Sequence, residues 1–162
     1  MQQGASICLF GGSFDPIHGG HLHIAGTAQQ LCALKKIIFL PAACSPFKQG
    51  SRTMFSDEQR LQMLRLAIGE DPTLQLCDLE LQRGGISYTW ETVEQLREMY
   101  PQAELVLFMG TDMFLIFRQW KNPERILKNV SLGYFTGGSP VRRKAFASRK
   151  RSWRPKVPGY IW

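Results

Sequence analysis

Short apolar runs that alternate with helix-periodic segments are the feature that most constrains the fold of this chain. The first run ends in the glycine pair Gly11-Gly12, and the second is halted by Pro41. Runs of this length, bounded by Gly or Pro, are typical of buried strands. Because helical segments separate them, the pattern predicts a single Rossmann-like α/β domain, with a doubly wound parallel sheet of about five strands. The predicted strands are Ser6–Phe10, Ile37–Leu40, Leu74–Leu81, Glu104–Met109 and Val130–Phe135.

The segments between these runs repeat apolar residues at helical spacing. The period changes at Gly20 and predicts a helix to about Leu34. Ser56 and Gln59 form a plausible capping box, which predicts a helix through about Ile68. The remaining predicted helices are Thr89–Tyr100, Met113–Trp120 and Glu124–Lys128.

Polar and glycine-rich stretches follow three of the predicted strands directly. Residues 11–21 follow the first strand, residues 41–48 the second and residues 110–112 the fourth. In doubly wound sheets, ligands bind beyond the carboxyl ends of the strands. We therefore expect these three stretches to form one site.

The stretch after the first strand, GGSFDPIHGGHLHIA, combines a glycine-rich bend with two histidines three residues apart. Gly11 and Gly12 let the backbone turn sharply and approach a ligand closely. If a helix begins near Gly19, its first amides attract phosphate, and His18 and His21 lie on one side of its first turn. Two imidazoles in that position can donate hydrogen bonds to phosphoryl oxygens.

Two other interpretations of these histidines stay open. In the first, the glycines only make a tight turn, and the histidines cap or pack. In the second, the spacing H-x-x-H-x-H offers three nitrogens to zinc. The zinc interpretation lacks a fourth ligand at a usual spacing, and His23 is expected to face elsewhere, so we predict no protein-bound metal.

The motif centred on His18, Gly20 and His21 resembles the signature of the HxGH nucleotidyltransferase superfamily. Members of that superfamily transfer an adenylyl or cytidylyl group from a nucleoside triphosphate to a phosphate acceptor. The resemblance implies that His18 and His21 contact the triphosphate of ATP and stabilise the transition state, without a covalent intermediate. It also implies that Asp15-Pro16 belongs to the turn that presents the first histidine.

Three further stretches narrow the resemblance: PAACSPFK (41–48), ELQRGGISYTWET (80–92) and ELVLFMGTDMFLIFRQW (104–120). Together they resemble the bacterial nicotinate-nucleotide adenylyltransferases, which join ATP and nicotinate mononucleotide to give deamido-NAD and pyrophosphate in NAD biosynthesis. The resemblance implies catalytic roles for His18, His21 and Lys48, with magnesium carried by the ATP phosphates. The implied ATP-binding residues are Gly11, Gly12, Ser13, Phe14, His18, His21, Gly110 and Asp112. The implied acceptor-binding residues are Arg83, Ser87, Tyr88, Thr89 and Trp120.

The acceptor has a flat pyridine ring bearing a carboxylate, and the implied residues suit both parts. Trp120 supplies a flat face on which a ring can stack. The resemblance assigns the carboxylate to the amides of Tyr88 and Thr89, which begin a helix. A structural role for Trp120, as a core aromatic, stays open.

Each of four other residues has a purely structural interpretation as well as a functional one. Asp112 can accept from ribose hydroxyls or simply cap the helix that follows. Lys48 can neutralise phosphate charge or be a solvated surface lysine. Arg83 can bind substrate phosphate or form a salt bridge with Glu80. Arg60 matches a helix pattern of the family, but it also fits an ordinary amphipathic helix.

Charge and motif content both change toward the C-terminus. Residues 1–124 contain 10 Lys and Arg and all 13 Asp and Glu, whereas residues 125–162 contain 10 Lys and Arg and no acid. The resemblance ends near Val130, and the family's usual Ile-Ser-Ser-Thr-x-x-Arg motif is not found after it. Phe47 is a second departure, because the family commonly has His there. We therefore predict a nucleotidyltransferase domain over residues 1–133 and a basic, atypical or poorly packed tail over residues 134–162.

Three explanations of the tail stay open, and the first is favoured. The tail is a truncated or out-of-frame end, a replacement that reaches the triphosphate, or an arm that binds nucleic acid or another acidic partner. The first explanation predicts weakened ATP binding and low activity. The arginines that the second would use are Arg142, Arg143, Arg149 and Arg151.

Length and composition restrict the remaining choices. The chain has 162 residues, enough for one domain with a substantial core, and no apolar stretch approaches the length of a membrane span. The four cysteines form no CxxC pair, which indicates separate thiols in a reducing compartment and predicts a cytoplasmic protein. The oligomeric state is left open, and a homo-oligomer is allowed.

Three rival functions are also compatible with parts of the sequence. Pantetheine-phosphate adenylyltransferase shares the first motif, although the SYT and GTDMFLIFRQW stretches argue against it. A nucleotide-binding protein without turnover would explain the missing phosphate motif. A nucleic-acid-binding module rests on the basic tail alone, and we do not favour it.

Overall fold

A computed structural model of the chain describes residues 6–136 and 139–143. Its strands are β1 (Ser6–Gly12), β2 (Lys36–Pro41), β3 (Leu74–Leu76), β4 (Glu104–Gly110), β5 (Ser131–Thr136) and β6 (Ser139–Arg143). Its helices are α1 (Gly19–Leu31), α2 (Asp57–Ile68), α3 (Leu79–Arg83), α4 (Thr89–Met99), α5 (Thr111–Leu115) and α6 (Pro123–Asn129). Two short 3-10 turns cover Pro46–Lys48 and Phe117–Gln119.

The strands form one sheet in the order β3-β2-β1-β4-β5-β6. The first five are parallel to one another, which confirms the predicted doubly wound α/β fold. From β3 the chain crosses back over β1 to begin β4 on its other side, so the strand order reverses between β1 and β4. Ligand sites of such sheets lie at this reversal, beyond the carboxyl ends of the strands.

The central strands are apolar throughout because both of their faces are covered. Cys8 and Phe10 of β1 belong to the core layer that contains Ala25 of α1 and Leu64 of α2. Leu9 lies in the opposite layer, whose residues include Leu96 of α4 and Ile126 of α6. Successive side chains of a strand point to opposite faces, so two covered faces require a continuous apolar run.

The structure corrects several sequence-predicted bounds. The strand predicted over 74–81 pairs only at Leu74–Leu76, because the chain turns at Asp78 into helix α3. The helix predicted over 113–120 is split into α5 and a 3-10 turn, with a break at Ile116. The first helix ends at Leu31 instead of Leu34, and Ala33 adopts a positive φ.

A sixth strand, which the sequence did not predict, extends the sheet at one edge. β6 pairs antiparallel with β5, and β5 itself runs across position 133, where we divided the chain. Residues 144–162, including Arg149 and Arg151, lie outside the described residues, so the poorly packed tail stays a prediction. No helix in the described ranges is long and apolar enough to cross a membrane.

Candidate active site

His18 and His21 form a close, tilted pair of rings at the start of α1. Their ring centroids are 3.8 Å apart and their planes differ by 30°. The amide of Gly20 donates to Nδ1 of His18 at 3.1 Å, and the amide of His18 donates to Nδ1 of His21 at 3.3 Å. The two imidazoles thus form a capping box, the role that hydroxyl and carboxamide side chains usually fill.

This capping arrangement fixes the tautomer of both rings. A ring nitrogen that accepts a hydrogen bond cannot carry a proton, so in each neutral ring the proton lies on Nε2. No described residue accepts from either Nε2–H group. The pair therefore offers two Nε2–H donors to a ligand beside the positive end of the α1 dipole.

Burial favours the neutral form of His21. Half-buried His21 packs edge-on against the ring of Phe14, with centroids 5.1 Å apart. Burial first, and the neighbouring His18 second, lower the pKa of His21 below its usual value. The side chain of His23 is exposed, its carbonyl accepts from the Thr27 hydroxyl, and no ring contact joins it to the pair within the described residues.

Two glycines that flank the loop after β1, one at the end of the strand and one in the first turn of α1, leave little space for extra side-chain atoms. A Cβ at Gly20 would lie 2.9 Å from the ring of His18, and a Cβ at Gly12 would lie 3.2 Å from the ring of Phe14. The Phe14 ring is itself in the core, with 2% exposure, and its φ is 45°. Only the backbone of Phe14 is therefore available to a nucleotide.

A cavity of about 480 Å³, the polar cavity, lies between the loops that follow β1 and β2. The ammonium of Lys48 donates to the hydroxyl of Ser13 across these loops at 3.3 Å. Asp15 accepts from the amides of Met54 and Phe55 at 2.7 and 2.9 Å, and these bonds, Met54 first, lower the pKa of its carboxyl. The lining residues are Ser13, Asp15, Ala42, Ala43, Cys44, Ser45, Lys48, Ser51, Arg52 and Thr53.

A second cavity of about 330 Å³, the ring cavity, lies beyond β1 and β4 at the strand reversal. Its wall includes Trp120, whose ring centroid lies 5.9 Å from that of Phe47. The indole Nε1 of Trp120 is buried and has no acceptor among the described residues. The sequence-predicted residues that line this cavity are Gly11, Gly12, Ser13, Lys48, Ser87, Thr89, Gly110, Asp112 and Trp120.

The segment before α4 is tied to the loop after β2. The buried Ser87 accepts from the amide of Ala43 at 2.9 Å, and its own amide donates to the carbonyl of Cys44 at 2.8 Å. The amide of Tyr88 donates to the carbonyl of Ile86 at 3.0 Å, so it is not free for a ligand as we expected. The amide of Thr89, in the first turn of α4, has no partner within the described chain. Tyr88 itself does not line the ring cavity.

Glu80 is buried in the wall of the ring cavity, a position that the sequence did not indicate. Its carboxylate accepts from the hydroxyl of Thr92 at 2.7 Å, and burial raises its pKa. Arg83 donates to Thr92 and to Gln95, at 3.0 and 3.3 Å, and lies 3.4 Å from the carboxylate of Glu91. The structure therefore places Arg83 in a network around Glu80, without a direct ion pair to it, and outside both cavities.

The other residue whose place the sequence left open is Arg60 of α2, which is fully buried. It donates to the carbonyls of Ser13 and Ala42, which belong to the loops after β1 and β2. The family helix pattern was the available signal. Because polar residues surround Arg60 in the sequence of this amphipathic helix, its burial could not be predicted from the pattern.

The chain is similar to a family of transferases and to individual proteins within it. A family model described as cytidylyltransferase-like matches residues 9–148. A probable nicotinate-nucleotide adenylyltransferase of Rhodopirellula baltica is 41% identical over 140 residues, covering 86% of this chain and 65% of that protein. One of Aquifex aeolicus is 42% identical over 120 residues, covering 74% of this chain and 70% of that protein. The chain thus spans just under two thirds of the length of the Rhodopirellula protein.

The fold is also similar to that of solved structures. A Plasmodium falciparum nicotinic acid mononucleotide adenylyltransferase complexed with NaAD superposes with a TM-score of 0.64 at 21% identity. The match covers 76% of this chain and 60% of that chain. At this identity the likeness concerns the fold alone.

Proposed function

The chain belongs to the cytidylyltransferase-like family, in the group of the nicotinate-nucleotide adenylyltransferases, and on this premise we propose that it joins ATP and nicotinate mononucleotide to give deamido-NAD and pyrophosphate. The observation that carries the proposal is the imidazole pair, whose two Nε2–H groups are unengaged within the described chain at the start of α1. Beside it, beyond the same strand ends, the ring cavity offers an aromatic wall for an acceptor ring.

In this reaction an oxygen of the acceptor phosphate bonds to the α-phosphorus of ATP. The bond from that phosphorus to the oxygen bridging to the β-phosphate breaks, and pyrophosphate leaves with the electron pair. Negative charge therefore grows on the leaving group in the transition state. We assign its stabilisation to the Nε2–H donors of His18 and His21 and to the ammonium of Lys48.

The protein's contribution is positioning and electrostatics. Neutral imidazoles suit this task because they donate hydrogen bonds without transferring a proton, and the lowered pKa of His21 favours that form. The backbone at Gly11 and Gly12 can approach the phosphates closely, because no Cβ stands between.

We place magnesium on the phosphates of ATP. Within residues 6–136 and 139–143 no three His, Cys, Asp or Glu side chains form a metal-binding group. Mg²⁺ commonly keeps several waters and binds through substrate phosphates, so it fits this site as part of the nucleotide. Bound there, it would neutralise phosphate charge.

We place the pyridine ring of the acceptor against Trp120, in the ring cavity. The amide of Thr89 is then the donor for the ring carboxylate, since the amide of Tyr88 is engaged. Asp112 lines the same cavity, on the side of β4, and is assigned to ribose hydroxyls. A cytoplasmic location is also proposed, supported by the free thiols of the chain.

The test is pyrophosphate release from ATP with nicotinate mononucleotide, measured on the wild type and on His21→Ala. We expect turnover by the wild type and a loss of at least about 100-fold in His21→Ala, since one transition-state donor is removed. His23→Ala is the matched control, because His23 is exposed on the same helix and should keep full activity. Turnover with 4′-phosphopantetheine but not with nicotinate mononucleotide would refute the proposed acceptor.

A further inference from the structure

A fully buried arginine connects the two loops that line both cavities. Nη1 of Arg60 donates to the carbonyl of Ser13 at 2.6 Å and to that of Ala42 at 2.9 Å, and Nη2 donates to Asp57 at 2.6 Å. Arg60 has 0% exposure, whereas its ion-pair partner Asp57 is 57% exposed. We call the contacts of Arg60 with Ser13 and Ala42 the Arg60 bridge.

The position of this guanidinium is costly unless its donors are used. Removing a charge from water costs several kcal/mol before partners repay it. The planar fork of arginine lets Nη1 donate to both carbonyls while Nη2 holds Asp57, an arrangement that an ammonium on a flexible stem reproduces poorly. The neighbours Leu61 and Leu64 are buried apolar residues, so an apolar residue at position 60 would suit the packing of α2 but could not join the loops.

The two carbonyls lie next to the contacts that shape the site. Ser13 also accepts from Lys48 through its hydroxyl. The amide of Ala42 donates to the carbonyl of Gly12 at 2.9 Å. The next residue, Ala43, donates to Ser87 and so reaches the segment that precedes α4. A shift at the Arg60 bridge would therefore move groups on both the phosphate side and the ring side.

A second arginine, Arg97, also donates to several backbone carbonyls, but at the amino ends of the strands. Arg97 donates to the carbonyls of Tyr100 and Ala103 at 3.2 and 2.7 Å, and to that of Asn129 at 2.5 Å. These acceptors precede β4 and β5, so this arginine joins backbone segments at the amino ends of strands, away from both cavities.

We propose that Arg60 is a positioning residue, which sets the spacing between the loops after β1 and β2 and thereby aligns the phosphate-binding and ring-binding halves of the site. It acts through Ser13 and Ala42 and touches no substrate. The inference rests on the proposed function only for its kinetic readout, because the spacing of the loops can be measured without turnover.

The experiment compares Arg60→Met, Arg60→Lys and Arg97→Met by amide hydrogen exchange and by pyrophosphate release. In Arg60→Met we expect the amides of Ala42 and Ala43 to exchange at least about tenfold faster. We expect kcat/KM to fall by about 100-fold, mainly through kcat, as a misplacement of about 1 Å can produce. Arg60→Lys should recover part of both, and it decides the question if Arg60→Met does not fold.

Arg97→Met should unfold at a lower temperature, yet keep the exchange rates of Ala42 and Ala43 and the wild-type kcat/KM. Combining Arg60→Met with Lys48→Met should cost less than the product of the two single losses, because Arg60 acts partly through the Lys48–Ser13 contact. Unchanged exchange at Ala42 and Ala43 in Arg60→Met would overturn the inference, as would an equal loss of kcat/KM in Arg97→Met. A wild type inactive with nicotinate mononucleotide would refute only the proposed function, since the exchange measurement still decides the role of Arg60.

Discussion

Replacing Gly20 by alanine should displace the His18 ring while changing the stability of helix α1 little. The new Cβ would lie 2.9 Å from both Nδ1 and Cε1 of His18. The ring must then move, although its Nδ1 accepts from the amide of residue 20 at 3.1 Å. The Nε2–H donor of His18 is displaced with it.

The effect on stability should be small because two terms oppose each other. Alanine favours a helix over glycine by about 1 kcal/mol. Loss of the side-chain cap from His18 costs about 1 kcal/mol. Activity has no such compensation: displacement of one transition-state donor should lower kcat by about 100- to 1,000-fold.

The assay pairs pyrophosphate release with thermal unfolding of the same preparation. Gly26→Ala in the same helix is the control, since nothing lies within 4 Å of its added Cβ. It should raise the free energy of unfolding by up to about 1 kcal/mol and leave turnover unchanged. Wild-type kcat in Gly20→Ala would refute the reasoning, because the placement of His18 would then not matter to the reaction.

Three further measurements follow from the site. Burial lowers the pKa of His21, so as the pH falls below about 6.5 the unfolded chain binds a proton there more readily than the folded chain. The unfolding temperature should therefore drop below that pH, and less steeply in His21→Gln; an equal pH dependence in both proteins would contradict this. Burial raises the pKa of Glu80, so the folded protein loses stability as the pH rises through the pKa of its buried carboxyl. Glu80→Gln, which keeps an acceptor for Thr92, should unfold at a higher temperature than the wild type at pH 8 but not at pH 4; a difference independent of pH would contradict a buried, titrating Glu80. Trp120→Ala should raise the KM for nicotinate mononucleotide about 10-fold without changing that for ATP, whereas Trp90→Phe, outside the ring cavity, should change neither; an equal rise for ATP would count against ring stacking.

Local spacing explains why most of the fold could be predicted. Apolar runs closed by Gly or Pro, such as those before Gly11 and after Lys36, are buried strands in the structure. The failure over 74–81 has a physical reason: LQLCDLEL alternates like a strand, but only its first three residues pair with β2, and Glu80 belongs to helix α3. Alternation alone cannot tell a short edge strand from a turn of helix with one buried carboxylate.

Much of the candidate site was predictable as well, because parallel strands end at one edge. Gly12, Lys48 and Gly110 come from three such ends and line the same cavity. Arg83 was harder: two partners were conceivable from sequence, and the structure engages it with Thr92 among others. Phe14 belongs to the implied ATP-binding set, yet its ring is part of the core.

The sequence by itself determined the alternation of the five parallel strands with helices and the residues that follow β1, β2 and β4, since both depend on periodicity over a few positions. Tertiary structure alone decided the burial of Arg60 and its bond to Ser13, 47 positions away, as well as the bond between Ala43 and Ser87, 44 positions apart. The tautomer of the His18 and His21 pair likewise required atomic positions, because which ring nitrogen accepts a backbone amide depends on side-chain rotation. Contacts between distant segments form only when the packed sheet brings strand ends together, and no local pattern records which atoms then meet.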